Sequence, residues 1–169
     1  DLLSGGALQA TGAVTLDPNR GITMTVASGL GATSGNTLTV SGIITGGFGL
    51  TINGASQTGS VTLLGENTYS GSTTVTAGTL FGGGGSLTRA AFGSGAITVS
   101  AGGTLWTDRS TLSNNLTLSG GTLQGTNGFG EIFNGTISLT GVNEIKVGSY
   151  MTMNGVVSRT GDIVKSENG

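Results

Sequence analysis

Eight acids give this 169-residue chain its widest chemical options: Asp1, Asp17, Glu66, Asp108, Glu131, Glu144, Asp162 and Glu167. Two carboxylates facing one bond can exchange protons with it or cleave a glycoside, and several together can hold a divalent cation. These eight lie far apart in sequence, so only a fold that stacks distant segments would unite any two. The chain has no His and no Cys. The remaining bases and nucleophiles are carboxylates, Lys and Tyr. Serines are plentiful, but no Gly-x-Ser-x-Gly elbow joins a strand to a helix. Gly93-Ser94-Gly95 reads as a turn ahead of a strand. The glycines at 82–85 lack the Lys-Ser/Thr ending and the helix of a phosphate loop and read as a loop. The glycine-aspartate nonapeptides of calcium-binding β-rolls do not occur. The expectation is a chain with no catalytic residue, no cofactor and no metal site.

Binding chemistry is better represented. Trp106, Phe129, Phe133 and Tyr150 are candidates for an exposed ligand patch, or alternatively for internal stacks and end plugs. Thr23-Met24-Thr25, Thr37-Leu38-Thr39 and Thr74-Val75-Thr76 evoke an ice-binding array, but their spacing is irregular. Asn36, Asn53, Asn67, Asn115, Asn134 and Asn154 fall near expected corners and read as turn-forming or ladder-stacked residues. Asn115 and Asn134 also open formal N-glycosylation triplets. The net charge is −2, and the six Lys and Arg residues are scattered. With no basic stripe, nucleic acid is not an expected partner. No apolar run is long enough to span a bilayer as a helix.

The elements that would position these residues are short strands. Ala13–Leu16, Ile22–Val26, Thr37–Val40, Leu50–Ile52, Ser60–Leu64, Thr73–Val75 and Thr79–Phe81 alternate apolar residues with Thr or Ser. Ala96–Ser100, Thr104–Trp106, Leu116–Leu118, Thr122–Gln124, Thr136–Leu139, Glu144–Val147, Met151–Met153 and Val156–Ser158 continue the pattern. Turns are expected between them, among others around Ser28, Gly29 and Gly31. Helix is nearly excluded, because 35 glycines would each cost an interior helical site roughly 1 kcal/mol. Residues 87–92 are the one candidate helical turn.

Two phrases recur. Apolar-Thr-apolar appears at Val14–Leu16, Leu38–Val40, Leu50–Ile52, Val61–Leu63 and Leu116–Leu118. A Gly-Thr-Leu phrase ends at Leu80, Leu105 and Leu123, 25 and 18 residues apart. Such spacing suits one coil of a parallel β-helix and predicts an all-β solenoid of about seven to eight coils over residues 1–169. A β-sandwich is the competing architecture. The chain opens on Asp1 and neither end carries a visible cap, so a segment of a longer rod or assembly is expected. The lack of Cys fits either a cytosolic chain or an exported bacterial one, and the Thr/Ser/Gly/Asn-rich composition favours export.

Leu63, Gly65, Asn67, Thr68, Tyr69, Gly71, Thr73, Val75, Gly78 and Leu80 follow one another without a gap. In this order, residues 61–80 resemble the passenger-associated repeat of bacterial autotransporters, also called the autotransporter-associated β-strand repeat. Val61 stands where the repeat has Leu, and Ser72 where it has a second Gly. The lead-in at 43–50 is similar too, and Ile163-Val164-Lys165 looks like that lead-in again. The resemblance implies a right-handed parallel β-helix on a secreted or surface-displayed bacterial protein. The membrane barrel of that family is absent from this chain, so membrane insertion does not carry over.

The functional expectation is a structural, non-catalytic stalk or adhesin scaffold. Its partners would be other copies of itself, flanking repeats, or a host-surface or glycan ligand. A self-assembling filament subunit, stacking through open coil ends, and a polysaccharide-active β-helix enzyme are the alternatives.

Overall fold

A computed structural model describes residues 1–54, 56–83, 90–108, 111–126 and 130–167. Gly84 and Gly85 of the four-glycine stretch, residues 87–89 of the candidate helical turn, and Phe129 lie outside these residues. Among the described residues there is no helix, and the chain is all-β.

The strands fall into tiers. The first holds β1 (Leu2–Leu3), β2 (Ala7–Ala10) and β3 (Val14–Leu16). The second holds β4 (Ile22–Met24), β5 (Ser28–Ala32) and β6 (Thr37–Val40), and the third β7 (Ile44–Thr45), β8 (Leu50–Ile52) and β9 (Ser60–Leu63). The next two contribute β10 (Thr73–Val75) and β11 (Gly78–Gly83), then β12 (Ile97–Ser100) and β13 (Gly103–Asp108). The sixth holds β14 (Thr111–Leu112), β15 (Leu116–Ser119) and β16 (Thr122–Gly125). Then come β17 (Gly130–Phe133), β18 (Ile137–Thr140) and β19 (Val142–Val147), and finally β20 (Tyr150–Met153), β21 (Val157–Arg159) and β22 (Asp162–Glu167).

Every ladder between these strands is parallel. One eight-stranded sheet runs β2-β5-β8-β10-β12-β15-β18-β21, and a second runs β3-β6-β9-β11-β13-β16-β19-β22. The two three-stranded sheets, β1-β4-β7 and β14-β17-β20, form the remaining side. The result is a parallel β-solenoid of about seven turns. Between the small sheets the backbone bonding continues without regular strands: Thr68 N donates to Ile44 O at 2.9 Å and Ser94 N to Tyr69 O at 3.0 Å.

Side chains alternate in and out along each strand. On the second long sheet the inward residues Leu38, Val61, Leu80, Leu105, Leu123 and Ile145 stack in register and are buried. They face the corresponding column of the first long sheet: Leu30, Ile52, Val75, Val99, Leu118 and Leu139. Burying each such side chain contributes about 1.5–3 kcal/mol. The three Gly-Thr-Leu phrases stack as their wording predicts, Leu80 on Leu105 on Leu123.

Two expected turns are strand. Ser28, Gly29 and Gly31 belong to β5, which pairs with β2 and β8. Its glycines serve close approach: a Cβ on Gly31 would collide with the Gln57 side chain. Gly82 and Gly83 likewise complete β11, where a Cβ on Gly82 would strike the Phe92 ring. Both changes have one cause, since glycine written as punctuation also permits a strand to lie under a bulky neighbour.

The repeat residues 63–80 each take a place in the stack. Asn67 is buried; its Oδ1 accepts from Ile44 N at 2.7 Å and its Nδ2 donates to Ala91 O at 2.6 Å. Gly71 lies where a Cβ would land on the Phe48 carbonyl. Gly78 has φ +61°, and Leu63, Thr73, Val75 and Leu80 are core. Tyr69 is wholly buried, with its hydroxyl 2.7 Å from Thr73 Oγ1. Burial pushes the Tyr69 phenol up to about 12, against a smaller opposing effect of the Thr73 bond.

Tyr69→Phe is expected to cost about 1–3 kcal/mol in denaturant unfolding, because the buried Thr73 hydroxyl loses its partner. The folded phenol titrates above its ordinary value of 10.0. The parent's stability should therefore be full below pH 10 and fall as pH rises toward 12. Melting temperatures across that window should show the decline in the parent and its absence, for this group, in the variant.

Candidate functional site

The second long sheet turns two ranks of side chains outward, each set by the ladder register. One rank reads Thr37, Ser60, Thr79, Thr104, Thr122 and Glu144. The other reads Thr15, Thr39, Thr62, Phe81, Trp106, Gln124 and Lys146. The face thus passes from hydroxyls, through two aromatic rings, to a charged end. There Glu144 accepts from Ser166 Oγ at 2.8 Å and pairs with Lys146 at 3.4 Å. The Ser166 bond leads in holding the Glu144 carboxyl below the usual range.

Where the small hydroxyl residues meet the rings, the face is concave. Thr37, Ser60, Thr62 and Thr79 form one part of a shallow groove of about 280 Å³. Phe81, Trp106, Asp108 and Thr126 complete it. Phe81 and Trp106 occupy consecutive tiers and meet edge to face, their centroids 5.0 Å apart at 70°. Both rings are half-buried, so part of each remains open to solvent.

A buried carboxyl is linked to the indole through Thr126. Trp106 Nε1 donates to Thr126 Oγ1 at 3.1 Å, and Thr126 Oγ1 donates in turn to the Thr107 carbonyl at 2.9 Å. Thr126 N donates to Glu131 Oε1 at 2.9 Å. Glu131 is 0% exposed, and its other oxygen, Oε2, has no hydrogen-bond partner among the described residues. Gly125 makes room for this carboxyl, since a Cβ there would meet Oε2. Desolvation is the main cause that raises the Glu131 pKa; the Thr126 N–H opposes it, and the Asp108 charge adds to it. A wholly buried carboxyl cannot touch a substrate bond, so Asp108 and Glu131 do not form a hydrolytic pair in this arrangement.

The four aromatic candidates do not share one patch. Trp106 lines the groove, while Phe133 is 2% exposed and packs in the core, which is the internal-stack alternative. Tyr150 is 62% exposed but belongs to the small sheet β14-β17-β20, where its ring covers Gly130. Phe81 was missed. It holds the same place after a Gly-Thr-Leu phrase that Trp106 holds, and aligning the phrases would have paired them. Glu131 was missed as an inward residue, although it sits two positions before Phe133 on one strand and so shares its face.

The asparagines brace the stack. Asn53 adopts φ +50°; its side chain accepts from Ala32 N at 2.9 Å and donates to Gly59 O at 2.8 Å and Ala77 O at 3.0 Å. Asn154 Nδ2 donates to Asn134 Oδ1 at 2.9 Å, and Asn115 Oδ1 accepts from the Thr136 amide at 3.1 Å and hydroxyl at 2.9 Å. Among the described residues, no three acids gather into a metal-holding group.

Comparison with known proteins finds no matching family model, no matching curated protein and no matching solved structure.

Glu131→Gln keeps an acceptor for the Thr126 amide and removes a carboxyl that is costly to charge. Because the folded pKa is raised, the parent should lose stability as pH rises from about 4.3, the ordinary Glu value, through the raised folded value. The variant is expected to melt above the parent at pH 7, and the gap should close as pH falls toward 4. Paired thermal melts at several pH values measure this, and a gap independent of pH would refute it.

Proposed function

We propose that the protein is a structural, non-catalytic segment of an extracellular bacterial β-solenoid, serving as a rigid stalk or adhesin scaffold. The observation that carries this reading is the unbroken register of both eight-stranded sheets. Each inner strand is bonded on both sides, so bending the rod at any tier would break a whole row of hydrogen bonds. Supporting it, the residues that resemble the autotransporter repeat act in stacking: Asn67 ties neighbouring tiers, Tyr69 fills the core and Gly71 permits contact with Phe48. The secreted or surface location comes from that resemblance and from the composition.

A stalk must be stiff along its whole length. Amide hydrogen exchange is expected to show similar, strong protection from β5 to β18, with fraying confined to the outermost tiers. A sharp loss of protection between two inner tiers would mark a hinge and overturn the stalk. Release of reducing ends from a polysaccharide panel by the purified chain would overturn the non-catalytic part.

A further inference from the structure

We propose that the groove around Phe81 and Trp106 binds a linear, neutral glycan lying along the rod axis. This goes beyond the stalk reading and does not depend on it.

The occupant follows from the chemistry of the walls. Part of each half-buried ring faces solvent at the groove. The C–H bonds on the flat side of a sugar ring carry partial positive charge and suit the negative face of an aromatic ring. Beside the rings stand Thr62, Thr79 and Ser60, whose hydroxyls both donate and accept, as the hydroxyls of a sugar require. These side chains repeat along the axis at the strand spacing of about 4.8 Å, close to the length of one hexopyranose residue. A straight oligosaccharide therefore advances about one sugar per tier, from the hydroxyls of Ser60 and Thr62 to the rings of Phe81 and Trp106.

Other occupants fit less well. A peptide strand gains affinity by adding to a sheet edge, but β9, β11 and β13 are bonded on both sides and offer only side chains. Single-stranded nucleic acid would find rings for its bases but needs cations for its phosphates. Asp108 is the only charge among the described residues that line the groove. Sulfated and uronic-acid glycans likewise call for cations, and no Lys or Arg is among the described residues that line the groove.

The rings are also held ready. The Trp106 N–H is bound by Thr126, and Thr126 by Glu131 and Thr107. Phe81 is seated edge to face against Trp106. Little side-chain ordering remains to oppose binding. Thr126 and Glu131 are thus positioning residues, and contact with the sugar falls to Phe81, Trp106 and the hydroxyls.

Trp106 is the only tryptophan in the chain, so its emission reports on the groove alone. The 169-residue protein would be titrated with neutral hexasaccharides (cellohexaose, laminarihexaose and chitohexaose) and with an anionic one, hexagalacturonate. At least one neutral oligomer is expected to shift the emission saturably, and the anionic oligomer to bind more weakly or not at all. Calorimetry with Trp106→Ala should show at least about tenfold weaker binding. Thr79→Lys places a long side chain in the groove and tests the site without removing the indole; it should abolish binding while the circular dichroism melt stays near the parent's. No shift with any neutral hexamer at millimolar concentration would overturn the proposal. So would tighter binding of hexagalacturonate, or undiminished binding in a folded Thr79→Lys protein.

Discussion

The strands' backbone hydrogen bonds run between tiers and not within them, and the rest of the structure follows from that. A single coil of two- to six-residue strands cannot satisfy its own amides and carbonyls. Each coil is completed only by the one above and the one below, at about 4.8 Å. Every side chain is thereby placed over its counterpart in the next tier. Leu80, Leu105 and Leu123 form one column for this reason, as do Thr37, Ser60 and Thr79. Where a corner would leave inward-facing backbone groups unpaired, a buried amide fills the gap: Asn53, Asn67 and Asn143 each bond to the main chain of other segments. Glycine is required where one backbone crosses close to another, as Gly71 does at Phe48.

The same constraint shapes the outer surface. A rank of threonines would make a flat, uniform face. Replacing two successive members with Phe81 and Trp106 builds a step, and the groove lies at the foot of that step. Because the tiers are fixed by backbone bonding, the two rings meet without any loop having to fold over them. The site is therefore a local departure from repetition on an otherwise repetitive scaffold.

That distinction explains what could be read in the sequence. The all-β solenoid was legible because apolar-Thr-apolar and Gly-Thr-Leu recur, and their leucines and valines are the columns of the core. The strand at Ser28–Ala32 was not, because its glycines carry no alternation; they lie under Gln57 and beside Ala7, and that contact is tertiary. Trp106 was named as a candidate for a ligand patch, but its neighbour Phe81 lies 25 positions away, and in the sequence only the shared Gly-Thr-Leu phrase joins them. Phe133 looks the same as Trp106 in sequence. The alternation of Gly130-Glu131-Ile132-Phe133 turns it inward and carries Glu131 inward with it.

Glu131 sets stability against position. A wholly buried carboxyl with one oxygen unpartnered among the described residues is an unfavourable thing to place in a core. An apolar residue there would pack without that cost, and the solenoid does not need the carboxyl for its ladders. What Glu131 supplies is an acceptor for the Thr126 amide, at the end of the segment whose hydroxyl takes the Trp106 N–H. Without it, Thr126 would have one fewer bond fixing the residue whose hydroxyl takes the indole N–H. Natural sequences depart from local packing rules chiefly where function requires it. In this chain the departure is joined through Thr126 to the N–H of Trp106, one of the two rings of the groove.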